Sequence, residues 1–187
     1  MNKKQQRALY SRLRNEMSDM QRTKGSEKIC ARLKKLFCEY QVDAYLAFYP
    51  LGSEVSLVSF MEELMAEGKE LALPKVKGDD MIFYKVCSWE QLEEGCFHVM
   101  EPVDSCEEFA FADKKIAVLT PGLVFDTRGY RMGYGKGYYD RFFARHSGLW
   151  KIGIGFEEQI ASRVETDELD IELDLVVTPN RIIKKSN

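Results

Sequence analysis

A ten-residue segment, RMGYGKGYYD, combines alternating glycines with basic side chains. Its glycines, Gly133, Gly135 and Gly137, tolerate positive φ angles and let main-chain N–H groups approach a ligand with no side chain between them. Arg131, the first residue of the segment, and Lys136 add full positive charges. Phosphate groups are bound by main-chain N–H donors and by cations, so the segment predicts a loop that binds a polyphosphate.

The glycine spacing differs from two common nucleotide-binding motifs. A P-loop needs Ser or Thr after its lysine, whereas Gly137 follows Lys136. The dinucleotide fingerprint G-x-G-x-x-G needs a glycine where this chain has Tyr138. The glycines alone would equally suit a tight chain reversal with no ligand. The interleaved cations and the helix predicted behind them favour phosphate over that alternative.

Asp140 falls in the first turn of the helix that is predicted to begin near Gly137. An acidic residue at this position commonly stabilises the positive end of the helix dipole, by at most about 1 kcal/mol. It could instead be a magnesium ligand, because Mg²⁺ is usually held by one or two carboxylates together with substrate phosphate oxygens. Taken by itself, the position favours the first role.

The elements around this segment alternate between helices and strands. Two amphipathic helices are predicted before residue 41, and VDAYLAFY and KIAVLTP have the composition of buried strands. The glycine-rich segment lies between KIAVLTP and a short helix, which is where ligands bind in α/β sheets. The alternation predicts an α/β fold with a mostly parallel, mixed sheet.

Several further elements are predicted from composition and spacing. KELALPKV and MIFYKV are expected to pair as antiparallel strands through a GDD turn, and RIIKK to add a strand at the end of the chain. Residues 54–67 and the segment EEQIASRV are predicted to be helices. Part of the sheet should therefore be antiparallel.

Composition narrows the class of protein. A chain of 187 residues, 45% hydrophobic and 30% charged, predicts a single globular domain spanning residues 1–187. Its net charge of -3 gives no basic excess for binding nucleic acid. Five cysteines without a C-x-x-C pair indicate a reducing compartment, and the charged N-terminus and short apolar runs predict neither a signal peptide nor a membrane span. We therefore expect a cytoplasmic protein with no nucleic-acid or membrane partner.

The segment PGLVFDTRGYRMGYGKGYYDRF, residues 121–142, resembles the signature of the 5-formyltetrahydrofolate cyclo-ligase family. That signature is P-G-x-x-F-D, a short turn, and then R-x-G-x-G-x-G-Y-Y-D. The matching positions are Pro121, Gly122, Phe125, Asp126, Gly129, Arg131, Gly133, Gly135, Gly137, Tyr138, Tyr139 and Asp140. A match over about twenty positions is far more specific than glycine spacing alone.

Other segments are similar to the family in the expected order. Lys3 and Arg7 have the spacing of its K-x-x-x-R motif on the first helix, which the resemblance implies contacts ATP phosphate, and Lys4 is adjacent. Glu54 matches a glutamate implied to contact the folate, although Leu57 stands where the family has Thr. These basic residues would otherwise be typical of a solvated helix face, and Glu54 of a helix N-terminus.

The resemblance implies a metal site completed by an acidic residue that lies before the last strand of the family, which here corresponds to LDLVV. Asp170 and Asp174 are the two candidates, and the spacing of Asp170 to LDLVV makes it our choice. Asp140 and Asp170 are therefore the predicted Mg²⁺ ligands.

The resemblance also implies a fold and a reaction. The fold is a three-layer α/β/α sandwich of the NagB/RpiA/CoA-transferase-like type. The reaction is the ATP- and Mg²⁺-dependent cyclisation of 5-formyltetrahydrofolate to 5,10-methenyltetrahydrofolate, with release of ADP and phosphate. ATP first phosphorylates the formyl oxygen, and N10 then attacks the resulting iminium phosphate.

The implied site residues fall into three groups. The catalytic residues are Arg131 and Lys136, and the predicted substrate-binding residues are Tyr49, Glu54 and Tyr138. The ATP-binding residues are Lys3, Lys4, Arg7, Arg131, Gly133, Tyr134, Gly135, Lys136, Gly137, Tyr138 and Tyr139.

Two alternatives remain open on the sequence. The chain could be a non-catalytic folate-binding relative, or another α/β enzyme that acts on a phosphorylated metabolite, because fold alone does not fix function. The retained basic residues and Asp140 favour the cyclo-ligase over both. We predict that it acts as a monomer on a reduced folate and ATP.

Overall fold

The computed structural model describes residues 1–185 of the chain. Two consecutive helices open the fold, as predicted, and each begins with a capping box, from Asn2 to Gln5 and from Ser18 to Gln21. The α-helices are α1 Lys3–Glu16, α2 Asp19–Glu39, α3 Val58–Ala66 and α4 Tyr138–Arg145.

One large sheet contains seven strands, which are β1 Ala44–Leu46, β2 Glu70–Lys77, β3 Asp80–Lys85, β6 Ile116–Thr120, β9 Trp150–Ile154, β10 Leu175–Val177 and β11 Ile182–Lys184. Their order across the sheet is β11-β10-β9-β6-β1-β2-β3. The five inner strands are parallel to one another, and β3 and β11 run antiparallel at the two edges, which confirms the prediction of a mixed, mostly parallel sheet.

Two small hairpins accompany this sheet and were not predicted. The first pairs β4 Leu92–Glu94 with β5 Met100–Pro102, and the second pairs β7 Val124–Phe125 with β8 Arg131–Met132. The second hairpin reverses the chain between β6 and the glycine-rich segment. It therefore sets the direction in which that segment leaves the sheet.

Helices cover both faces of the large sheet. Side chains alternate along each strand, so Tyr45 of β1 packs with α2 and α3 in one core, whereas Leu46 packs with α4 in the other. A smaller core joins the β7–β8 hairpin to Tyr10 of α1. The result is a helix, sheet and helix arrangement, and the narrower assignment to the NagB/RpiA/CoA-transferase-like type stays a prediction.

The segment EEQIASRV is not an α-helix, so that prediction was wrong. It has only a 3-10 turn at Glu157–Gln159. The buried Gln159 side chain accepts from the Phe156 N–H at 2.9 Å and donates to the Gly122 carbonyl at 2.7 Å. The Ala161 N–H also bonds the Phe125 carbonyl at 2.8 Å. These contacts to the β6–β7 region replace the bonds that a helix would make.

The helix predicted for residues 54–67 begins later, at Val58. Residues before it form a loop, because the Glu54 carboxylate accepts from the Leu51 N–H at 3.0 Å and the Ser26 hydroxyl accepts from the Ser56 N–H at 3.0 Å. Among residues 1–185, every helix is too short or too polar to cross a bilayer.

Candidate active site

The glycine-rich loop leaves β8 and enters α4 at the carboxyl edge of the large sheet. Gly135 and Gly137 have φ angles of +94° and +69°, so both need the left-handed region that favours glycine. Gly137 is the N-cap of α4. The loop therefore presents the N-terminal N–H groups of that helix at the edge where α/β proteins bind ligands.

Helix α1 lies directly against this loop. Arg7 Nε donates to the Gly133 carbonyl at 3.1 Å, and a Cβ at Gly135 would lie 3.3 Å from the Arg7 guanidinium carbon. The φ angle is therefore what favours glycine at Gly135, and a Cβ there would also crowd the Arg7 guanidinium. Lys4, by contrast, is exposed on the first turn of α1.

Lys3 connects α1 to the segment before β10. Its ammonium lies 2.6 Å from carboxylate oxygens of both Asp167 and Asp170. Burial acts to lower the pKa of Lys3, but the hydrogen bonds that its ammonium donates to these two carboxylates prevail and raise it. The predicted phosphate-binding lysine and the predicted metal ligand Asp170 are therefore ion-paired with each other.

Arg131 lies behind the loop with only 4% of its side chain exposed. Its guanidinium donates to Asp140 Oδ1 at 2.9 Å and to the Ile171 carbonyl at 2.9 Å. Burial lowers the pKa of Arg131, and the charge of Asp140 opposes that shift. In this arrangement Arg131 orients Asp140, and its predicted contact with phosphate stays a prediction.

Asp140 joins the loop helix to the segment that carries Asp170. Its Oδ1 also accepts the N–H of Ile171 at 3.1 Å, next in sequence to Asp170. Asp174 instead accepts the N–H of Lys151 at 2.7 Å, where β9 and β10 begin at the opposite edge of the sheet. Asp170, not Asp174, is therefore the acidic residue near Asp140.

The two carboxylates suit a magnesium ion that is completed by phosphate oxygens. Within residues 1–185, no cluster of three or more His, Cys, Asp or Glu side chains has the arrangement of a metal site. Mg²⁺ commonly takes only one or two carboxylates and fills its remaining positions with water and substrate phosphate. The donor set of Asp140 and Asp170 fits that description.

Glu54 forms a buried corner beside the loop. Glu54 is 9% exposed, and its carboxylate accepts from the Leu51 N–H at 3.0 Å and from the Tyr134 hydroxyl at 3.1 Å. Burial raises the pKa of Glu54, whereas the Leu51 N–H and the charge of Arg14 act to lower it. Glu54 and the glycine-rich loop are thus hydrogen-bonded to each other.

The predicted aromatic site residues have different environments. The Tyr138 hydroxyl donates to the Gly78 carbonyl at 3.4 Å, in the turn between β2 and β3. The Tyr139 hydroxyl is buried and has no hydrogen-bond partner among the described residues, and burial raises its pKa. Tyr49 lies past the end of β1 and packs edge to face on Trp89, with ring centroids 5.7 Å apart.

Leu57, which stands in place of the family Thr, does not face the candidate site. Its side chain is completely buried in the core between the sheet and helices α2 and α3. It is also the N-cap of α3 and makes no side-chain capping bond. The departure from the family pattern is a difference in packing.

Sequence reasoning missed Arg14, which is 4% exposed and reaches the same corner. It donates to Ser53 Oγ at 3.0 Å, to the Gly122 carbonyl at 3.3 Å and to the Tyr134 hydroxyl at 2.6 Å. One signal was available, because Arg14 follows Arg7 by seven residues and so lies on the same face of α1.

Arg141 was also missed, and it fixes the glycine-rich loop from the other side. Its guanidinium donates to the Lys136 carbonyl at 2.8 Å and to the Asp79 carbonyl at 2.6 Å. The same group lies 5.2 Å from the centre of the Tyr138 ring. Arg141 thereby connects the loop to the β2–β3 turn.

Fold and loop together define an α/β protein with a candidate phosphate site at the carboxyl edge of its sheet. The model of the 5-formyltetrahydrofolate cyclo-ligase family matches residues 1–179. The chain belongs to this family.

Individual relatives agree. A probable 5-formyltetrahydrofolate cyclo-ligase of Caenorhabditis elegans is 30% identical over 152 residues, which cover 74% of each chain. The structure of 5,10-methenyltetrahydrofolate synthetase from Aquifex aeolicus is 35% identical, has a TM-score of 0.87, and matches 100% of this chain and 94% of that one. The synthetase from Mycoplasma pneumoniae, at 24% identity and a TM-score of 0.79, covers 96% of this chain and 99% of its own, and supports the fold.

The family assignment confirms the predicted class of enzyme. The activity of the family is the ATP-dependent cyclisation of 5-formyltetrahydrofolate to 5,10-methenyltetrahydrofolate. ATP is therefore a co-substrate in this family.

Proposed function

We propose that this chain catalyses the ATP- and Mg²⁺-dependent cyclisation of 5-formyltetrahydrofolate through a phosphorylated formyl intermediate, with release of ADP and phosphate. The observation that carries the proposal is the convergence of three separate segments. Lys3 and Arg7 of α1, the glycine-rich loop, and the pair Asp140 and Asp170 all lie together at one edge of the sheet.

The triphosphate would be bound by cations and by main-chain donors. Lys3, Arg7 and Lys136 supply positive charge, and the loop and the first turn of α4 supply N–H groups. Lys3 is partly exposed, so phosphate oxygens can replace one of its two carboxylate partners without a change in the fold. Arg141 supports this geometry because it holds the Lys136 carbonyl.

Asp140 and Asp170 would hold Mg²⁺ together with phosphate oxygens. The bound ion would screen the charge of the phosphates and orient the γ-phosphoryl group. Arg131 keeps Asp140 in place, since its guanidinium donates to Asp140 Oδ1. Lys3 would then lie between Asp167 and the phosphates, with its positive charge still paired.

The folate would lie beside the loop, toward Glu54. A pterin ring presents adjacent N–H donors, and the Glu54 carboxylate is the acceptor that suits them. The rings of Tyr138 and Tyr49 supply flat apolar surface for the pterin and aminobenzoyl groups. Glu54 already bonds Tyr134 of the loop. A folate bound at Glu54 would therefore lie beside the loop, with its formyl group near the γ-phosphoryl group.

The chemistry needs positioning and charge neutralisation, with no covalent protein nucleophile. The formyl oxygen attacks the γ-phosphoryl, ADP leaves, and the oxygen becomes a phosphate ester on an iminium carbon. N10 then attacks that carbon and gives up its proton, and phosphate departs with the former formyl oxygen. Lys136 and the loop N–H groups would neutralise charge that develops on the transferred phosphoryl group, and Arg131 would act through Asp140.

We further propose that the protein is active as a monomer. The five cysteines are free, which supports a cytoplasmic location. Reduced folate and ATP are the proposed small-molecule partners.

Absorbance at the methenyltetrahydrofolate band tests the function. Purified protein with 5-formyltetrahydrofolate should generate the band only when both ATP and Mg²⁺ are present, with one phosphate released per product. Folate binding without product would indicate a non-catalytic relative. Absence of folate binding would instead favour an enzyme for another phosphorylated metabolite.

A further inference from the structure

A buried arginine links the two halves of the proposed site. Arg14 lies in the last turn of α1, with its side chain 4% exposed, and donates to groups on three other segments. Its acceptors are Ser53 beside Glu54, the Gly122 carbonyl after β6, and the Tyr134 hydroxyl of the glycine-rich loop. None of the three carries a formal charge. The carboxylate nearest to Arg14 is Glu54, with Oε1 3.9 Å from a guanidinium nitrogen.

Tyr134 completes a directed chain of hydrogen bonds. Its hydroxyl accepts from Arg14 at 2.6 Å and donates to Glu54 Oε1 at 3.1 Å. Half of the tyrosine residue is exposed, yet its hydroxyl reaches the two buried charges. Because the groups at the two ends of this series of hydrogen bonds, Arg14 and Glu54, are charged, both bonds are stronger than bonds between neutral groups.

This series of hydrogen bonds leaves the Glu54 carboxylate free to accept further hydrogen bonds. One carboxylate oxygen accepts from the Leu51 N–H and the other from Tyr134, whereas an ionised carboxylate has about four lone-pair positions. A ligand with two N–H donors can therefore bind Glu54 while Tyr134 remains in place. The loop and the carboxylate would then be ordered by the same contacts.

We propose that Arg14 and Tyr134 are positioning residues that couple the folate corner at Glu54 to the nucleotide-binding loop. The inference rests on the proposed function, because it takes Glu54 as the folate acceptor and the loop as the nucleotide site. Nucleotide binding fixes the loop, and the loop fixes the Tyr134 hydroxyl on Glu54. The folate then binds a carboxylate whose orientation is already set, so the coupling is positive and reciprocal.

Calorimetry on the whole protein tests this coupling. The affinity for 5-formyltetrahydrofolate is measured with and without a non-hydrolysable ATP analogue and Mg²⁺. We expect the folate Kd of the wild type to fall about tenfold when the analogue is bound. We call the folate Kd without the analogue divided by the folate Kd with it the folate ratio. In Tyr134→Phe, which keeps the ring and removes both hydrogen bonds, the folate ratio should fall to within about twofold of one.

Tyr130→Phe is the matched control. It removes one tyrosine hydroxyl near the same loop, but that hydroxyl bonds Glu172 and takes no part in the chain from Arg14 to Glu54. Its folate ratio should equal that of the wild type. A wild-type folate ratio of one, or equal folate ratios in the wild type and Tyr134→Phe, would overturn the coupling between the two parts of the site. Either result would leave the proposed function intact. Failure of the wild type to bind the folate would overturn both.

A pH profile tests the role of Arg14. The groups that face Glu54 are Arg14 from α1, Tyr134 from the loop and Tyr139 from α4. Arg14→Gln should move the acid limb of folate binding to a higher pH, because the charge of Arg14 acts to lower the pKa of Glu54, and Arg14→Lys should restore it in part. An unmoved limb would overturn the positioning role. If Arg14→Gln does not fold, the comparison with Tyr134→Phe decides.

Discussion

The phosphate side and the folate corner of this protein are built in different ways. On the phosphate side, Lys3, Arg7 and Lys136 lie near the surface, and the structure pairs Lys3 with carboxylates that a ligand can replace. In the folate corner, Arg14 and Glu54 are almost completely buried and share one hydroxyl. Substitutions on the phosphate side should therefore alter activity more than stability, whereas those in the folate corner should alter both.

Asp140 joins the buried Arg131 to the proposed metal site, and its substitution should have the largest effect. Asp140→Asn removes the negative charge that is proposed to hold Mg²⁺, so kcat should fall about 100-fold or more. The variant also leaves the buried Arg131 without its charge partner, which should lower the free energy of unfolding by about 2–4 kcal/mol. For the stability alone, the sequence predicted at most the helix-dipole contribution of about 1 kcal/mol from this residue.

Steady-state rates and urea denaturation measure the two effects of Asp140→Asn. Asp80→Asn is the control, because Asp80 pairs with Arg145 at the exposed start of β3 and should change stability by less than about 0.5 kcal/mol. Unchanged turnover in Asp140→Asn would exclude Asp140 as a metal ligand.

Glu54→Gln should have the next largest effect, and of the two substrate constants only the KM for the folate should change strongly. Loss of a charged acceptor should raise the folate KM about 10- to 100-fold and leave the ATP KM within about twofold. Initial rates with each substrate varied in turn separate the two constants. Equal increases in both constants would contradict the division of the site.

The pH dependence of folate affinity should show the titration of Glu54. Burial raises its pKa above the ordinary value of 4.5, so the carboxylate needed by the pterin donors is lost as pH falls through this higher value. Folate affinity should therefore decline on the acid side at a pH above 4.5 in the wild type. Glu54→Gln should lack this decline, and an identical profile in the two proteins would contradict the assignment.

Arg141→Ala should have a smaller effect, because it acts through the loop. Loss of the bonds to the Lys136 and Asp79 carbonyls should raise the ATP KM about three- to fivefold with little change in kcat. Arg145→Ala is matched to it, since Arg145 lies on the same helix and contacts the side chain of Asp80. The two variants should differ in ATP KM, and equal values would show that the loop does not need the Arg141 contacts.

Leu57→Thr should have the smallest effect on catalysis. The new hydroxyl can cap α3, but the loss of buried apolar volume outweighs the cap, so we expect a net loss of about 1–2 kcal/mol of stability. Rates with both substrates should stay within about twofold. An improved folate KM would show that the family Thr contacts the folate.

The same contrast explains how much the sequence could reveal. The glycine-rich loop, Asp140 and the alternation of elements depend on residues close together in the chain, and these predictions of fold and family were correct. Arg14 bonds Tyr134 across 120 residues, and Tyr134 bonds Glu54 across 80. Such pairs have no local pattern. The helix predicted for EEQIASRV is absent for the same reason, because Gln159 bonds the Gly122 carbonyl and Ala161 bonds the Phe125 carbonyl, both far away in the chain.

Binding of each ligand alone to two variants tests the central claim, that nucleotide and folate occupy separate but adjoining parts of one site. Lys136→Ala should lose at least about tenfold in affinity for a Mg²⁺-bound, non-hydrolysable ATP analogue and keep its affinity for 5-formyltetrahydrofolate. Glu54→Gln should show the reverse. Loss of both affinities in both folded variants, or of neither, would contradict the account.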